Sequence, residues 1–448
     1  MTAASNATLI ADLQGTHYGQ VHMALATASY IYEGYPLQLF NAFVSFIPTL
    51  PAVSDINNGS NVWNLEWGPA FCMANGSTFN DNLVAIVSNR NDTATGPVNF
   101  FAVLCRGTDV AGGIAQIAED MGAFDFQSWI DVVSGTYPVG GGMTVNPVVT
   151  GAAVPTAEGN IATGSAEALI TMTNLVPYNQ VGAATVTCVT PTLLNLLAAN
   201  QGVPVVVTGH SLGGAIVQVL AAYLECAISQ WNNENSANPI STTVIPQAFA
   251  PPTVGDANFA ANYQSVYGTG GQFWVNTADF VPTAWANLDT IDGLWCTYIW
   301  PDTPPAPYNK ILGPTIIGPA TLENIAEQAT LVAAVNKVMS LRQVAYSRPA
   351  SIVTLTASQT LPTAADMQKF LGGLGANQNS WYTFGAVLQF QHVPSSGQYN
   401  KLIGAVDPTP LAYGPIALPG PPAAYCASGR QRRTAGGQVI SASETVPR

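Results

Sequence analysis

The hydrophobic positions of this chain fall into short β-branched runs and into longer stretches with helical spacing. The short runs are bounded by Gly, Pro, Asn or Asp, which is typical of buried strands. The longer stretches carry apolar residues three or four positions apart, which predicts helices. Strands are predicted over residues 83–88, 98–105, 243–250, 272–279 and 381–392, helices over 14–34, 165–175, 190–201, 322–341 and 362–373, and one strand followed by one helix within 203–223.

The first two predicted strands are joined by residues 91–97, whose sequence Asn-Asp-Thr-Ala-Thr-Gly-Pro is rich in turn-forming residues. A turn-rich segment between two apolar runs favours an antiparallel hairpin. We therefore expect residues 83–105 to form a hairpin at the edge of a larger sheet.

Residues 203–223 contain the most informative pattern. An apolar β-branched run leads into Gly-His-Ser-Leu-Gly at residues 209–213, and an Ala-, Leu- and Val-rich helix follows. Gly-x-Ser-x-Gly between a strand and a helix is the nucleophile elbow, in which a sharp turn exposes the serine hydroxyl. Free N–H groups at the helix N-terminus point to where an oxyanion would form. This context predicts Ser211 as a catalytic nucleophile, and the alternative is a structural glycine-rich turn.

Composition narrows the classes of partner. Only 8% of residues are charged, against roughly 25% in an average soluble domain. A net charge of −13, with only 12 Lys and Arg, argues against nucleic acids and anionic membrane surfaces as partners. A surface made of Asn, Gln, Ser, Thr and Gly is more typical of the extracellular space. We therefore expect a secreted protein, even though residues 1–8 lack a signal-peptide pattern.

Three further sequence features bear on anchoring, disulfides and cofactors. The six cysteines show no C-x-x-C spacing, which argues against a zinc or thioredoxin-like site and leaves up to three disulfides open. Residues 34–54 carry no charge, but prolines and polar residues interrupt them, so we expect no transmembrane anchor. The sequence contains no glycine-rich phosphate loop and no metal-ligand cluster, so no cofactor is expected.

The order of motifs around the elbow resembles the class 3 (fungal-type) lipases of the α/β-hydrolase superfamily. A predicted strand ends at Arg106-Gly-Thr108, an insert and Ser128-Trp-Ile-Asp131 follow, and Gly-His-Ser-Leu-Gly-Gly comes later. The resemblance implies that Thr108 supplies one donor of the oxyanion hole and that the backbone N–H of Leu212 supplies the second. It also implies a lid over about residues 109–127, for which a fixed surface helix is the alternative.

Two motifs near the carboxyl ends of predicted strands extend the resemblance. Asp279-x-Val-Pro matches the family motif whose aspartate is the acid of the catalytic triad. The strand-end position favours Asp279 over aspartates in loops without that context, namely Asp256, Asp289, Asp292 and Asp302. Gln391-His392, with Tyr399 a few residues later, is similar to the family's general base and its surroundings.

The chain has four histidines. His210 adjoins the nucleophile, but its side chain should leave the elbow in another direction, which favours a packing role. His17 and His22 lie in a predicted helix and are expected to be structural. His392 remains as the candidate base and completes the order Ser, Asp, His of α/β-hydrolases.

We therefore predict an α/β-hydrolase fold, with a mostly parallel central sheet and helices on both faces. A single domain over residues 1–415 carries the lid and an insertion over about 288–355, and a Pro/Gly-rich tail follows over 416–448. The expected activity is hydrolysis of acylglycerols or other lipid esters at an oil–water interface through Ser211, His392 and Asp279. A phospholipase A1, a short-chain esterase, a transacylase and a non-catalytic α/β-hydrolase-like binding protein are the alternatives.

Overall fold

The computed structural model describes residues 3–30, 36–73, 80–107, 125–156, 158–180, 185–279, 281–283, 345–356, 391–392 and 398–403. The described strands are β1 (Asn61–Met73), β2 (Asn80–Asn91), β3 (Val98–Cys105), β4 (Phe126–Ser128), β5 (Asn160–Ala162), β6 (Val205–His210), β7 (Val244–Phe249), β8 (Gly255–Asp256), β9 (Gln272–Asn276), β10 (Tyr346–Ser347) and β11 (Ile352–Leu355).

The described α-helices are α1 (Ala3–Gln14), α2 (Gly19–Ala28), α3 (Pro36–Phe46), α4 (Trp129–Val133), α5 (Thr163–Asn174), α6 (Val189–Ala199), α7 (Leu212–Glu234), α8 (Ala257–Tyr267) and α9 (Gln398–Ile403). Short 3-10 turns occur at Ile47–Thr49, Asn57–Gly59, Gly140–Gly142, Gly151–Ala153, Tyr178–Gln180 and Val281–Thr283.

A seven-stranded mixed sheet forms the centre of the described fold, with the strand order β1-β2-β3-β6-β7-β9-β11. The strands β1, β2 and β3 pair antiparallel, and the strands from β3 to β11 pair parallel. A second, four-stranded sheet has the order β10-β8-β5-β4 and pairs antiparallel.

Alternate residues of β3 bury opposite faces of the central sheet. The odd-numbered residues from Phe101 to Cys105 pack in one apolar core with residues of α5, α6 and α7. The even-numbered residues from Phe100 to Leu104 pack in a second core with residues of α1, α2 and α3. A strand that is buried on both faces has a continuous apolar sequence, as residues 100–105 do. Helices therefore cover both faces, as predicted for this α/β fold.

Several predicted elements have different bounds in the structure. The hairpin over 83–105 is confirmed as β2 and β3, but β1 lies outside it and forms the edge of the sheet. The helix predicted over 14–34 is α2, at Gly19–Ala28, and a further helix, α1, precedes it. Gly15 and the turn around it separate the two helices, so the helix that was predicted to begin at residue 14 begins at Gly19.

The segment over 288–355, which the sequence pattern assigns to an insertion, ends in two strands of the described fold. β10 pairs with β8 in the small sheet, and β11 pairs parallel with β9 in the central sheet. β11 has only four residues, Ile-Val-Thr-Leu, which alternate between exposed and half-buried positions at the sheet edge.

Some predicted elements lie outside the described residues. These are the helices over 322–341 and 362–373, the tail over 416–448, and all of the predicted lid before residue 125. The last residues of the predicted lid lie in β4, which pairs with β5. Of the strand predicted over 381–392, only residues 391–392 are described, and they are helical.

Among the described helices, α7 is long and apolar enough to cross a membrane. However, 78% of its most apolar window is buried inside the fold. It packs between the central sheet and α5, which is the environment of a core helix.

Candidate active site

Ser211 occupies a strained turn between β6 and α7. Its backbone angles, φ 60° and ψ −127°, are ones that residues other than glycine rarely adopt. The glycines two residues away let the neighbouring strand approach this turn. A Cβ atom on Gly209 would lie 2.5 Å from the carbonyl oxygen of Cys105, and one on Gly213 would lie even closer to the same oxygen. Both positions therefore require glycine, and the turn holds the serine at the carboxyl end of β6.

The carboxyl ends of β3 and β6 bring the two predicted oxyanion segments together. Gly107 follows β3, and a Cβ atom on it would lie 2.6 Å from the carbonyl oxygen of His210 and 2.9 Å from the backbone nitrogen of Gly213. Leu212 is the first residue of α7, where a backbone N–H has no partner within the helix. Thr108, the other predicted donor, lies outside the described residues, so the structure brings its predecessor Gly107 to the elbow and says nothing of Thr108 itself.

Ser211, His392 and Asp279 are brought into hydrogen-bond contact. The Oγ atom of Ser211 lies 2.8 Å from Nε2 of His392, and Nδ1 of the same ring lies 2.8 Å from Oδ2 of Asp279. All three side chains are buried. A carboxylate can only accept, so the ring donates from Nδ1 and directs its Nε2 lone pair to the serine hydroxyl. This is the arrangement of a nucleophile, a general base and an orienting acid.

The carboxylate of Asp279 is buried but has three hydrogen-bond donors. Its Oδ2 also accepts from the hydroxyl of Tyr399 at 2.9 Å, and its Oδ1 accepts from the backbone N–H of Val281 at 3.0 Å. Burial, and then the nearby Asp279 charge, raise the pKa of Tyr399 well above its ordinary value, so the phenol stays protonated and remains a donor. These contacts offset the cost of burying a carboxylate.

Asn276 is a site residue that the sequence pattern does not reveal. Its Nδ2 atom donates to the backbone oxygen of Gln391 at 2.9 Å and to the side-chain Oε1 of the same residue at 3.0 Å. Its backbone N–H donates to the Tyr399 hydroxyl at 3.0 Å. The last residue of β9 therefore holds both the residue before His392 and the tyrosine that contacts Asp279. The available signal was a polar residue at the end of a buried strand, because a buried amide needs hydrogen-bond partners.

The side chain of His210 is directed to the main chain of His392. Its Nε2 atom donates to the carbonyl oxygen of His392 at 2.7 Å, and the two imidazole rings lie 4.7 Å apart. Burial, and then the neighbouring His392, lower the pKa of His210 well below its ordinary value. The ring is therefore neutral and does not supply a second titrating group at the site.

The other aspartate and histidines that were considered for the acid and the base, where the structure describes them, have structural surroundings. Asp256 caps α8 by accepting from the backbone N–H of Phe259 at 2.9 Å. His17 lies at the surface and pairs with Asp55 at 2.5 Å. His22 is buried in α2, where burial lowers its pKa to about 3. Asp289, Asp292 and Asp302 lie outside the described residues.

The described residues also bear on metal binding and on the state of the cysteines. Within the described segments, no group of three or more His, Cys, Asp or Glu side chains is placed to hold a metal ion. Cys105, Cys188 and Cys226 are free thiols, so the chain does not form the three disulfides that its cysteine number allows. Burial raises the pKa of Cys226 to about 12, so this thiol is not activated as a nucleophile.

Known proteins share this fold and part of this sequence. Residues 104–288 match the family model described as "Lipase (class 3)". A crystal structure of M37 lipase is 17% identical, with 86% of this chain and 92% of that chain covered and a TM-score of 0.55, a likeness that concerns the fold. The lipase from Rhizopus microsporus var. chinensis is 21% identical, with coverages of 63% and 70% and a TM-score of 0.31. A sequence comparison with curated proteins finds no match.

Proposed function

We infer that this chain hydrolyses lipid esters with a serine nucleophile. Through residues 104–288 it belongs to the class 3 lipases of the α/β-hydrolase superfamily. One observation carries the proposal: the buried contacts from Ser211 to His392 and from His392 to Asp279, at the carboxyl ends of parallel strands. The family match supports the lipid-ester class of substrate. The geometry supports the reaction type.

The proposed reaction begins with attack by the Ser211 hydroxyl on the ester carbonyl carbon, while Nε2 of His392 accepts the hydroxyl proton. Asp279 holds the imidazole in place and stabilises its cation. When the tetrahedral intermediate collapses, His392 returns the proton to the leaving alkoxide, and the alcohol departs. The same imidazole then accepts a proton from water as the water attacks the acyl-Ser211 ester. When this second tetrahedral intermediate collapses, His392 returns the proton to Oγ of Ser211, and the fatty acid departs.

The negative charge that develops on the carbonyl oxygen needs donors that are in place before the reaction. We propose the backbone N–H of Leu212, at the positive end of the α7 dipole, and the backbone N–H and hydroxyl of Thr108. Loss of one such donor should lower turnover by roughly 10²–10³-fold.

Acylglycerols and other water-insoluble esters are the proposed substrates, met at an oil–water interface. The family match supports this choice, and so does a chain in which only 8% of residues are charged, because such a surface tolerates contact with an uncharged lipid phase. The same composition supports the proposal that the protein is secreted.

The test is hydrolysis of p-nitrophenyl esters with short, medium and long acyl chains, followed by emulsified triacylglycerol and phosphatidylcholine. The variants are Ser211→Ala, His392→Ala and, as a matched control at the surface, Ser265→Ala. The proposal expects long-chain esters and triacylglycerol to be hydrolysed by the wild type and by Ser265→Ala only. Hydrolysis limited to short soluble chains would indicate an esterase, and hydrolysis mainly of phosphatidylcholine a phospholipase. Full activity of Ser211→Ala would refute the proposed mechanism.

A further inference from the structure

One tyrosine hydroxyl connects the two segments that lead to the proposed oxyanion donors. Tyr30, which follows α2, accepts a hydrogen bond from the backbone N–H of Gly107 at 3.2 Å and donates one to the carbonyl oxygen of His210 at 3.0 Å. Gly107 immediately precedes Thr108, and His210 precedes Ser211 and Leu212. A single phenol therefore bridges the main chain just upstream of both donors.

The ring of Tyr30 is held by the same two segments. The guanidinium carbon of Arg106 lies 5.5 Å from the ring centroid, a cation–π distance. The imidazole of His210 packs against the ring edge-on, with centroids 5.9 Å apart. These contacts restrict where the phenol oxygen can lie, so the hydroxyl has a defined position between the two strand ends.

The hydroxyl acts where the ladder between β3 and β6 has ended. The last residue pair of that ladder is Cys105 with Gly209. Beyond it, a Cβ atom on Gly107 would lie 2.6 Å from both the His210 carbonyl oxygen and the Tyr30 hydroxyl oxygen. Gly107 thus lets the segments that follow β3 and β6 approach each other. The Tyr30 hydroxyl supplies hydrogen bonds between these segments beyond the point where the ladder ends.

We propose that Tyr30 is a positioning residue of the oxyanion hole, setting the distance between the segment that carries Thr108 and the elbow that carries Leu212. This inference rests on the proposed esterase function. An oxyanion hole stabilises the transition state only when its donors are already in place, and a displacement of about 1 Å can cost about 100-fold in rate. We place the effect of the Tyr30 hydroxyl on catalysis in its hydrogen bonds to Gly107 and His210.

The experiment compares Tyr30→Phe, which keeps the ring and removes the hydroxyl, with Tyr223→Phe. Tyr223 is a matched control because its buried hydroxyl also donates to a backbone carbonyl, that of Pro147 at 2.5 Å, far along α7 from the elbow. The measured quantities are kcat and KM on a p-nitrophenyl ester, inhibition by an alkyl trifluoromethyl ketone, inhibition by a non-reactive ether analogue of the substrate, and Tm. The ketone forms a tetrahedral adduct with a serine hydroxyl and so reports on the oxyanion hole, whereas the ether reports on ground-state binding.

Tyr30→Phe is expected to lower kcat and ketone affinity in parallel by roughly 10- to 100-fold. Its KM and its affinity for the ether should stay within about twofold of the wild type, and its Tm should fall no further than that of Tyr223→Phe. A Tyr30→Phe protein with wild-type kcat and ketone affinity would overturn the inference. So would a loss of activity that only follows the loss of folded protein, or an equal loss of ether affinity. A wild type without Ser211-dependent hydrolysis would instead refute the proposed function, and the inference about Tyr30 with it.

Discussion

The imidazole of His210 holds the main chain of His392: its Nε2 atom lies 2.7 Å from the carbonyl oxygen of that residue. The Nδ1 atom of the same ring is buried and has no hydrogen-bond partner among the described residues. Since a carbonyl can only accept, the proton of the neutral ring must be on Nε2. The residue before the proposed nucleophile therefore positions the residue proposed as the base.

We predict that His210→Phe lowers kcat by about tenfold or more while KM changes little. The buried carbonyl of His392 would lose its donor, and an unsatisfied buried group costs about 1–3 kcal/mol. His210→Gln, which offers an amide donor, should recover part of the loss. Because burial keeps the pKa of His210 well below its ordinary value, both variants should keep the shape of the wild-type pH–rate profile. Wild-type kcat in His210→Phe would contradict this role.

Tyr399→Phe tests how the proposed triad carboxylate, Asp279, is held in place. The variant removes the 2.9 Å hydrogen bond from the hydroxyl to Oδ2 of Asp279, and a hydrogen bond to a charged group contributes about 1.5–3 kcal/mol. We expect kcat to fall by roughly tenfold or more. Asp279→Asn alone should lower it by about 10⁴-fold. The double variant should be no slower than Asp279→Asn, because the tyrosine acts through the carboxylate. Independent, multiplicative losses would show that Tyr399 acts elsewhere.

Gly213→Ala should destabilise the fold and abolish activity, although alanine inside a helix is ordinarily favoured over glycine by about 1 kcal/mol. Its Cβ atom would collide with the carbonyl oxygen of Cys105 and approach the backbone nitrogen of Gly107 to 2.8 Å. The matched control is Gly151→Ala, which has φ +60° but open space around the new Cβ atom. That variant should lose about 1–2 kcal/mol of unfolding free energy and keep its kcat. Chemical denaturation and ester hydrolysis measure both effects.

His22 should make the protein less stable in acid. Burial lowers its pKa from 6.5 to about 3 in the folded chain, so below pH 6.5 the unfolded chain binds a proton that the folded chain does not. The free energy of unfolding therefore falls as the pH drops from about 6.5 toward 3, and this contribution vanishes above that window. The expected loss is on the order of 3 kcal/mol near pH 4. His22→Met should flatten the acid side of a Tm–pH curve, and a slope equal to that of the wild type would contradict the assignment.

The local part of the candidate site follows from the sequence because its causes are local. The turn at Ser211 depends on the glycines beside it and on the strand and helix around it, all within residues 203–223. The strand-end position of Asp279 is also visible as a pattern. By contrast, no local pattern reveals the contact between Asn276 and Gln391, since these two residues are 115 positions apart along the chain.

The distinction between local and long-range causes also explains which strands could be predicted from the sequence. β2 and β3 were predicted because a short turn joins two apolar runs. β11 lies in a segment assigned to an insertion because the resemblance to the family weakens over residues 288–355, and only pairing with β9 identifies it as a strand.

The sequence by itself determined the α/β architecture, the elbow at Ser211, and which aspartate and histidine to expect beside it. Burial periodicity and turn chemistry act over a few residues, so the architecture and the elbow can be recognised without coordinates. The aspartate and the histidine were expected from the resemblance to the motifs of the class 3 lipases and from their positions near predicted strand ends. Only the tertiary structure decided that Tyr30 bridges Gly107 and His210, and that His210 holds the main chain of His392. Those hydrogen bonds join residues from separate parts of the chain, and their geometry exists only once the parallel strands are packed side by side.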